Sequence, residues 1–141
     1  MRIIFLDIDG VLVVPGGKLS TLHEGIVFDE ENILWLKRLL IQSGAKLVII
    51  STRREYKPLH QMTNLLSYYG LDTYVLGKIK DGDKAQGIAL YRAETSLQAA
   101  YLVIDDVPLH TTLPQLIPNA RSGLKSLTDK DFAYALKVLT D

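Results

Sequence analysis

Two hydrophobic rhythms alternate along the chain. Continuous apolar runs appear as "RIIFLDI", "AKLVIIS" and "AYLVIDD", with a shorter one as "TYVLG". Such unbroken runs read as strands buried on both faces, the pattern of parallel sheets. Between them, apolar residues recur at three- and four-residue spacings, the signature of amphipathic helices. Asp29 and the acidic pair Glu30-Glu31 open the first helix; Ile33, Leu36 and Leu40 share a face, and Gly44 ends it. A second helix begins near Pro58, carries Leu59, Met62, Leu66 and Tyr69 as its stripe, and stops at Gly70. A third takes Asp83 as N-cap, with Gln86 three residues on, and runs to about Thr95. Thr128 caps the last, followed by Asp131 and a face of Phe132, Ala135, Leu136 and Leu139. "VLVVPGG…GIVF" reads as a hairpin-like excursion around Pro15-Gly16-Gly17. Pro108 to Pro118 reads as irregular, and "ARSG" (Ala120 to Gly123) as a marginal fifth strand.

Strands separated by helices predict an α/β fold: a parallel sheet of about five strands, covered on both sides through right-handed crossovers. The expectation is one three-layer α/β/α, Rossmann-like domain over residues 1–141. In such sheets, ligands bind beyond the carboxyl ends of the strands. The positions that matter are therefore Asp7, Asp9 and Gly10 after the first strand, and Ser51, Thr52, Arg53 and Arg54 after the second. "GKIKDGDK", ending at Lys84, follows the third. Asp105 and Asp106 follow the fourth.

Composition narrows the chemistry. With 48% hydrophobic residues, the chain of 141 residues has material for a real core. It has no cysteine, which removes disulfides, thiolate metal sites and cysteine nucleophiles. Its formal charge is zero, so no global field draws it to nucleic acid or membrane, although a local basic patch remains open. "MRIIFLDID" is too short an apolar run for a signal peptide, and no stretch approaches the roughly 20 apolar residues of a membrane span. These features predict a cytoplasmic protein with no membrane contact.

Four carboxylates, a hydroxyl and a lysine thus converge on one sheet edge. Burying that charge uncompensated costs several kcal/mol per ion. A divalent cation with oxygen ligands is the simplest compensation, and Mg²⁺ suits carboxylates plus phosphate oxygens. Asp7 and Asp9, two apart on a strand, lie on the same side, roughly 6.5–7 Å apart at the backbone. One can attack phosphorus while the other moves the proton. Gly10 permits a tight turn beside them. Ser51 can hydrogen-bond a phosphoryl oxygen, and Lys84 can neutralise charge that builds there. Lys84 also stands in a first helical turn, where the dipole disfavours a cation. Taken singly, these residues have plainer explanations. Asp9-Gly10 is a common turn, and Ser51 is a common loop cap. Arg53 and Arg54 read as solvated charges, Asp81-Gly82-Asp83 as a turn, and His23, His60 and His110 as surface residues. The shared edge is what favours chemistry.

In this order and spacing, "DIDGV", "LVIIS", Lys84 at a helix start and "LVIDD" resemble the haloacid dehalogenase (HAD) superfamily of phosphohydrolases. The resemblance implies a nucleophile at Asp7 and a general acid/base at Asp9. It implies Mg²⁺ held by Asp7, the main-chain carbonyl of Asp9, and Asp105, with Asp106 as an outer or second direct ligand. It also implies strand order 5-4-1-2-3. Because HAD dehalogenases lack the second aspartate, Asp9 favours phosphomonoester hydrolysis.

The stretch between Gly10 and the first helix has room for a flap but not for a large cap domain. An open site suits bulky substrates, or a cap from a partner chain. Two basic clusters border it: Arg53, Arg54 and Lys57, then Lys78, Lys80 and Lys84. Gly10, Thr52, Arg53 and Arg54 are the candidate substrate contacts. "STRR", the small size and the "DDVP…GL" tail are similar to compact HAD domains associated with RNA repair proteins. The partner is therefore a phosphorylated small molecule or, as a secondary reading, a nucleic-acid end. Two competing readings are a receiver-like phosphorylation switch and a catalytically inactive phosphate-binding module. A receiver places its adjacent acid pair after the first strand, whereas Asp105-Asp106 comes late. All the catalytic residue types are present, so nothing supports loss of activity.

Overall fold

Alternation inside each apolar run decides which layer a residue faces. A computed structural model describes residues 1–15, 22–23, 26–52, 59–95 and 98–141. In chain order its elements are β1 (Arg2–Leu6), β2 (Leu22–His23), β3 (Ile26–Val27), α1 (Glu30–Ser43), β4 (Lys46–Ile49), α2 (Leu59–Ser67), β5 (Val75–Lys78), α3 (Lys84–Thr95), β6 (Ala100–Ile104), β7 (Gln115–Leu116) and α4 (Asp129–Thr140). Five of the strands form one parallel sheet in the order β5-β4-β1-β6-β7. Counted along the chain within that sheet, this is the expected order 5-4-1-2-3. Ile4, Leu6, Leu47, Ile49, Leu102 and Ile104 point to one side, where α1, α2 and α4 supply Leu36, Leu39, Met62, Leu66, Ala135 and Leu139. Ile3, Phe5, Val48, Tyr101 and Val103 point to the other, where α3 supplies Ile88. The fold is the three-layer α/β arrangement, and the described residues include no cap domain.

Local signals behave as expected at the helix ends. The Asp29 side chain accepts the Asn32 N–H at 3.2 Å, and Gly44 closes α1 at φ +70°. Asp83 accepts the Gln86 N–H at 2.9 Å. Thr128 and Asp131 form a reciprocal capping box.

Two expectations need correction. The fifth strand is not Ala120 to Gly123 but Gln115–Leu116, which pairs in parallel with Val103 and Ile104. Leu116 is buried and drives that pairing, while Asn119 to Gly123 closes a turn through the Gly123 N–H to Asn119 O bond at 2.7 Å. The hairpin-like excursion does return antiparallel, through Val13 against Phe28 and Leu22–His23 against Ile26–Val27. Its ribbon, however, lies later than the proposed Pro15-Gly16-Gly17 centre, and Gly16 and Gly17 fall outside the described residues.

A buried polar clamp joins the two ends of the chain. Asn32, fully buried in α1, donates to Ser122 O at 3.0 Å and accepts the Lys125 N–H at 2.7 Å. The Leu124 N–H bonds to Val11 O at 3.0 Å. Gly123 adopts φ +75°, and a Cβ there would collide with the Asn32 side chain and the Val11 carbonyl. Lys125 Nζ lies 2.6 Å from Asp29 Oδ2, and Asp29 is only 1% exposed.

Burial alone would raise the Asp29 carboxyl. The Lys125 hydrogen bond, the Asn32 N–H and the Lys125 charge outweigh it, leaving the pKa below its ordinary 3.8. A depressed carboxylate contributes stability that is complete above the unfolded value and lost as pH falls through the folded one. Lys125→Met strands a buried charge and should cost about 2–3 kcal/mol at neutral pH, reduced from the fully buried case because Lys125 is partly exposed. Denaturant unfolding should show this deficit at pH 7 and a smaller one as the pH drops well below 3.8. A deficit independent of pH would show that the charge pair is not its source.

Candidate active site

Strand register brings the acids together. Leu6 pairs with Ile104, and the Asp7 N–H continues the ladder to Ile104 O at 2.9 Å. Asp7 and Asp105 therefore leave adjacent strands at the same level, both buried at 4% and 0% exposure. The chain then turns away at Gly10, which adopts φ +79°. Space is equally decisive there: a Cβ on Gly10 would stand 2.5 Å from Asp106 Oδ2. The half-buried Asp106 carboxylate leans across Gly10 toward the other two. Carboxylate oxygens of Asp7, Asp105 and Asp106 all lie within 4.8 Å of one another.

Lys84 opens α3 and explains its unfavourable position at the helix start by what it reaches. Its Nζ donates to Asp105 Oδ2 at 2.7 Å and lies 3.5 Å from Asp7 Oδ1. Its side chain is only 18% exposed. Burial would lower its pKa, but the Asp105 hydrogen bond and the Asp7 charge overcome this and raise it. Gly87, one turn on, lets α3 press against the buried Ile79; a Cβ would meet that side chain at 2.8 Å.

One ammonium does not balance three carboxylates. Burial first, then the Asp105 charge, push the Asp7 carboxyl up to about 8 despite Lys84. Burial and Asp105 also raise Asp106, which shares a hydrogen bond with Asp7. A proton held between crowded carboxyls is what a cation would replace. The donors are hard oxygens only, the ligand type Mg²⁺ takes, so the residues fit the expected cofactor.

Loop contacts fix the acidic turn. Asp105 Oδ1 accepts the Val107 N–H at 3.0 Å. Gln115 donates to Val107 O at 2.8 Å and Asp105 O at 3.3 Å, and accepts the Leu109 N–H at 3.1 Å. The displaced fifth strand is thus also the strut of the site, a role that nothing local in its sequence announces.

The remaining candidates divide. Ser51 is fully buried, one residue beyond the Ile50 N–H to Leu6 O bond of 2.9 Å, so it leaves the sheet beside β1. Thr52 is exposed. Asp9 is half-buried and bridges to Val13; its carboxylate is not in the three-acid group, and its expected metal contact is through the main chain. Arg53, Arg54 and Lys57 lie outside the described residues. The second basic cluster is not one patch: Lys84 turns inward, while Lys80 stands 70% exposed, 3.4 Å from Glu94.

Gly10→Ala forces both a strained φ and a shift of Asp106. If Asp106 contributes to cation binding there, the variant should bind Mg²⁺ at least about tenfold more weakly, as supporting carboxylates at metal sites do. Titration calorimetry checks this. Equal affinity would detach Asp106 from the cation site.

A family model for the HAD domain in Swiss Army Knife RNA repair proteins matches residues 3–128, which spans from β1 to the cap of α4. No curated protein and no solved structure matches the chain. With the parallel order, the acids at adjacent strand ends and this match in agreement, the chain belongs to the family of HAD domains in Swiss Army Knife RNA repair proteins.

Proposed function

We propose that the protein is a Mg²⁺-dependent phosphomonoester hydrolase working through an aspartyl phosphate on Asp7. Membership in a HAD family makes a phosphoesterase-type hydrolase the coarse reading. The observation that carries the finer one is the buried convergence of Asp7, Asp105 and Asp106 on Lys84 at the sheet edge. Asp7, Asp105 and Asp106 would hold Mg²⁺ with the Asp9 carbonyl, and the cation would neutralise phosphoryl charge and align the phosphate for attack.

The chain's own groups do the rest. The Asp7 carboxylate attacks phosphorus, and the P–O bond to the leaving alcohol breaks. Asp9, less buried than Asp7, protonates the departing oxygen, then takes a proton from the water that releases phosphate. Lys84 and Ser51 hold the equatorial oxygens, and positioned charge of this kind supplies most of the catalysis in phosphoryl transfer. The apolar walls around Leu6 and Ile104, both fully buried, keep the local dielectric low.

A phosphorylated nucleic-acid end is the proposed substrate class. It is supported by the family itself, whose HAD domains occur in RNA repair proteins, and by a site edge without a cap domain among the described residues.

Three measurements test the reading. Wild type with Mg²⁺ should hydrolyse phosphomonoesters, chelation should abolish turnover, and Asp7→Asn should lower kcat by about three orders of magnitude or more. Lys84→Met should cost roughly 10²–10³ in kcat. Independently of activity, saturating Mg²⁺ should raise Tm by several degrees in wild type and not in Asp105→Asn. If no phosphomonoester, including 3′- and 5′-phosphorylated oligonucleotides, turns over above the Asp7→Asn background, the hydrolase reading fails. If oligonucleotide ends react no faster than an aryl phosphate, the substrate class fails alone.

A further inference from the structure

A cleft of about 190 Å³ lies between one flank of α3 and the loop after β6, lined by Ala85, Ile88, Ala89 and Arg92 on the helix and His110, Thr111 and Thr112 on the loop. The helix residues follow i, i+3, i+4 and i+7 spacing and so form one stripe. Its volume is below the roughly 300–1,000 Å³ of pockets that engulf a whole ligand. It suits one segment of a longer one.

Its position links it to the reaction centre. Ala85 adjoins Lys84, whose Nζ touches Asp105, and the opposite wall is the loop leaving Asp105 and Asp106. From Ala85 to Arg92 the helix descends roughly 10 Å. Close to the acids the floor is alanine, which allows a backbone to approach; at the far end it is cationic.

The cation there is built in. The Arg92 guanidinium lies 4.8 Å over the Tyr101 ring, which fixes its plane. Tyr101 in turn stacks on Phe5 at 5.7 Å. Among the described residues, neither Arg92's guanidinium nor His110's ring has an ion-pair or hydrogen-bond partner, and both residues are exposed. The nearest acid along the helix, Glu94, is engaged by Lys80. The loop wall is held by the Gln115 contacts and by Leu109 and Leu113, which pack on the core beneath α3.

We infer that this cleft is a second subsite, in which Arg92, His110 and the Thr112 hydroxyl hold an internal phosphate of a nucleic-acid strand whose terminal phosphate occupies the Asp7 centre. The inference rests on the hydrolase reading for the identity of that centre, but not for its test. Anchoring one strand at two separate points, the second a helix rise of roughly 10 Å below Ala85, selects oligonucleotides over mononucleotides and aryl phosphates.

The test uses binding, which needs no turnover. A fluorescently labelled, 3′-phosphorylated single-stranded hexanucleotide is titrated by anisotropy against Asp7→Asn protein with Mg²⁺ present. Adding Arg92→Gln and His110→Gln should weaken binding about tenfold and flatten the log K against log salt slope by about one charge per lost phosphate contact. Lys130→Gln, the same charge removed from α4, should change neither. Unchanged affinity in the double variant, with its fold verified by thermal melting, overturns the subsite, as does an equal loss in Lys130→Gln or no measurable binding of the oligonucleotide. Wild-type turnover of any phosphomonoester above the Asp7→Asn background decides the hydrolase reading separately, so either can fail without the other.

Discussion

Uncompensated negative charge at the ends of two adjacent buried strands is the constraint on which the rest of this structure depends. Asp7 and Asp105 are nearly or fully inaccessible, and Asp106 folds over Gly10 to join them. Placing one carboxylate in such surroundings is costly, and placing three together is more so. The apolar faces of β1 and β6 are close-packed and hold the acids in place, since such an interior yields little to the strain. The parallel register, with Leu6 opposite Ile104, then makes proximity of the acids unavoidable.

Several features that look unrelated follow from that charge. Lys84 takes a place at the start of α3 that the helix dipole disfavours, because the 2.7 Å bond to Asp105 outweighs it. Gly10 is required by conformation and again by the space Asp106 occupies. Gln115 ties down three backbone groups of the acidic loop. The Asn32 and Gly123 clamp holds the Val11 carbonyl, two residues beyond Asp9, so the turn after β1 has support from outside the sheet. Fixing charges in place before substrate arrives is the condition for electrostatic catalysis, since no reorganisation is then needed.

How much of this the sequence discloses follows from the range of each interaction. Local patterns are legible: the unbroken apolar runs, the caps at Asp29, Asp83 and Thr128, and the acids directly after the strands. Lys84 was legible because it violated a local preference. Gln115–Leu116 was not, since the three residues between Pro114 and Pro118 are too few for any strand pattern, and only pairing with Val103 and Ile104 defines the strand. The clamp was equally invisible, because Asn32 meets Ser122 and Lys125 across about ninety positions and neither side carries a motif. The basic cluster misled for a related reason. Charge counted along the chain does not say which lysine turns inward, and Lys84 and Lys80 part company.

The layers of the sheet also keep the acidic cluster apart from the proposed subsite. Three helices crowd one face, while α3 covers the other. A lone helix leaves its flank open, and the short β6–β7 connection passes along it instead of a further helix. The cleft arises from that asymmetry, not from any special insertion. Residues at strand ends are held by register and can hardly change without moving the acids. Those on the flank, Arg92, His110 and Thr112, are exposed, and Arg92 rests on the Tyr101 ring. If the proposed subsite holds a phosphorylated chain, substitutions there would alter which chain is gripped while leaving the buried charge cluster intact. On that proposal, a fold this small would hold its reaction centre constant and place discrimination one helix face away, where the stability cost of changing a side chain is lowest.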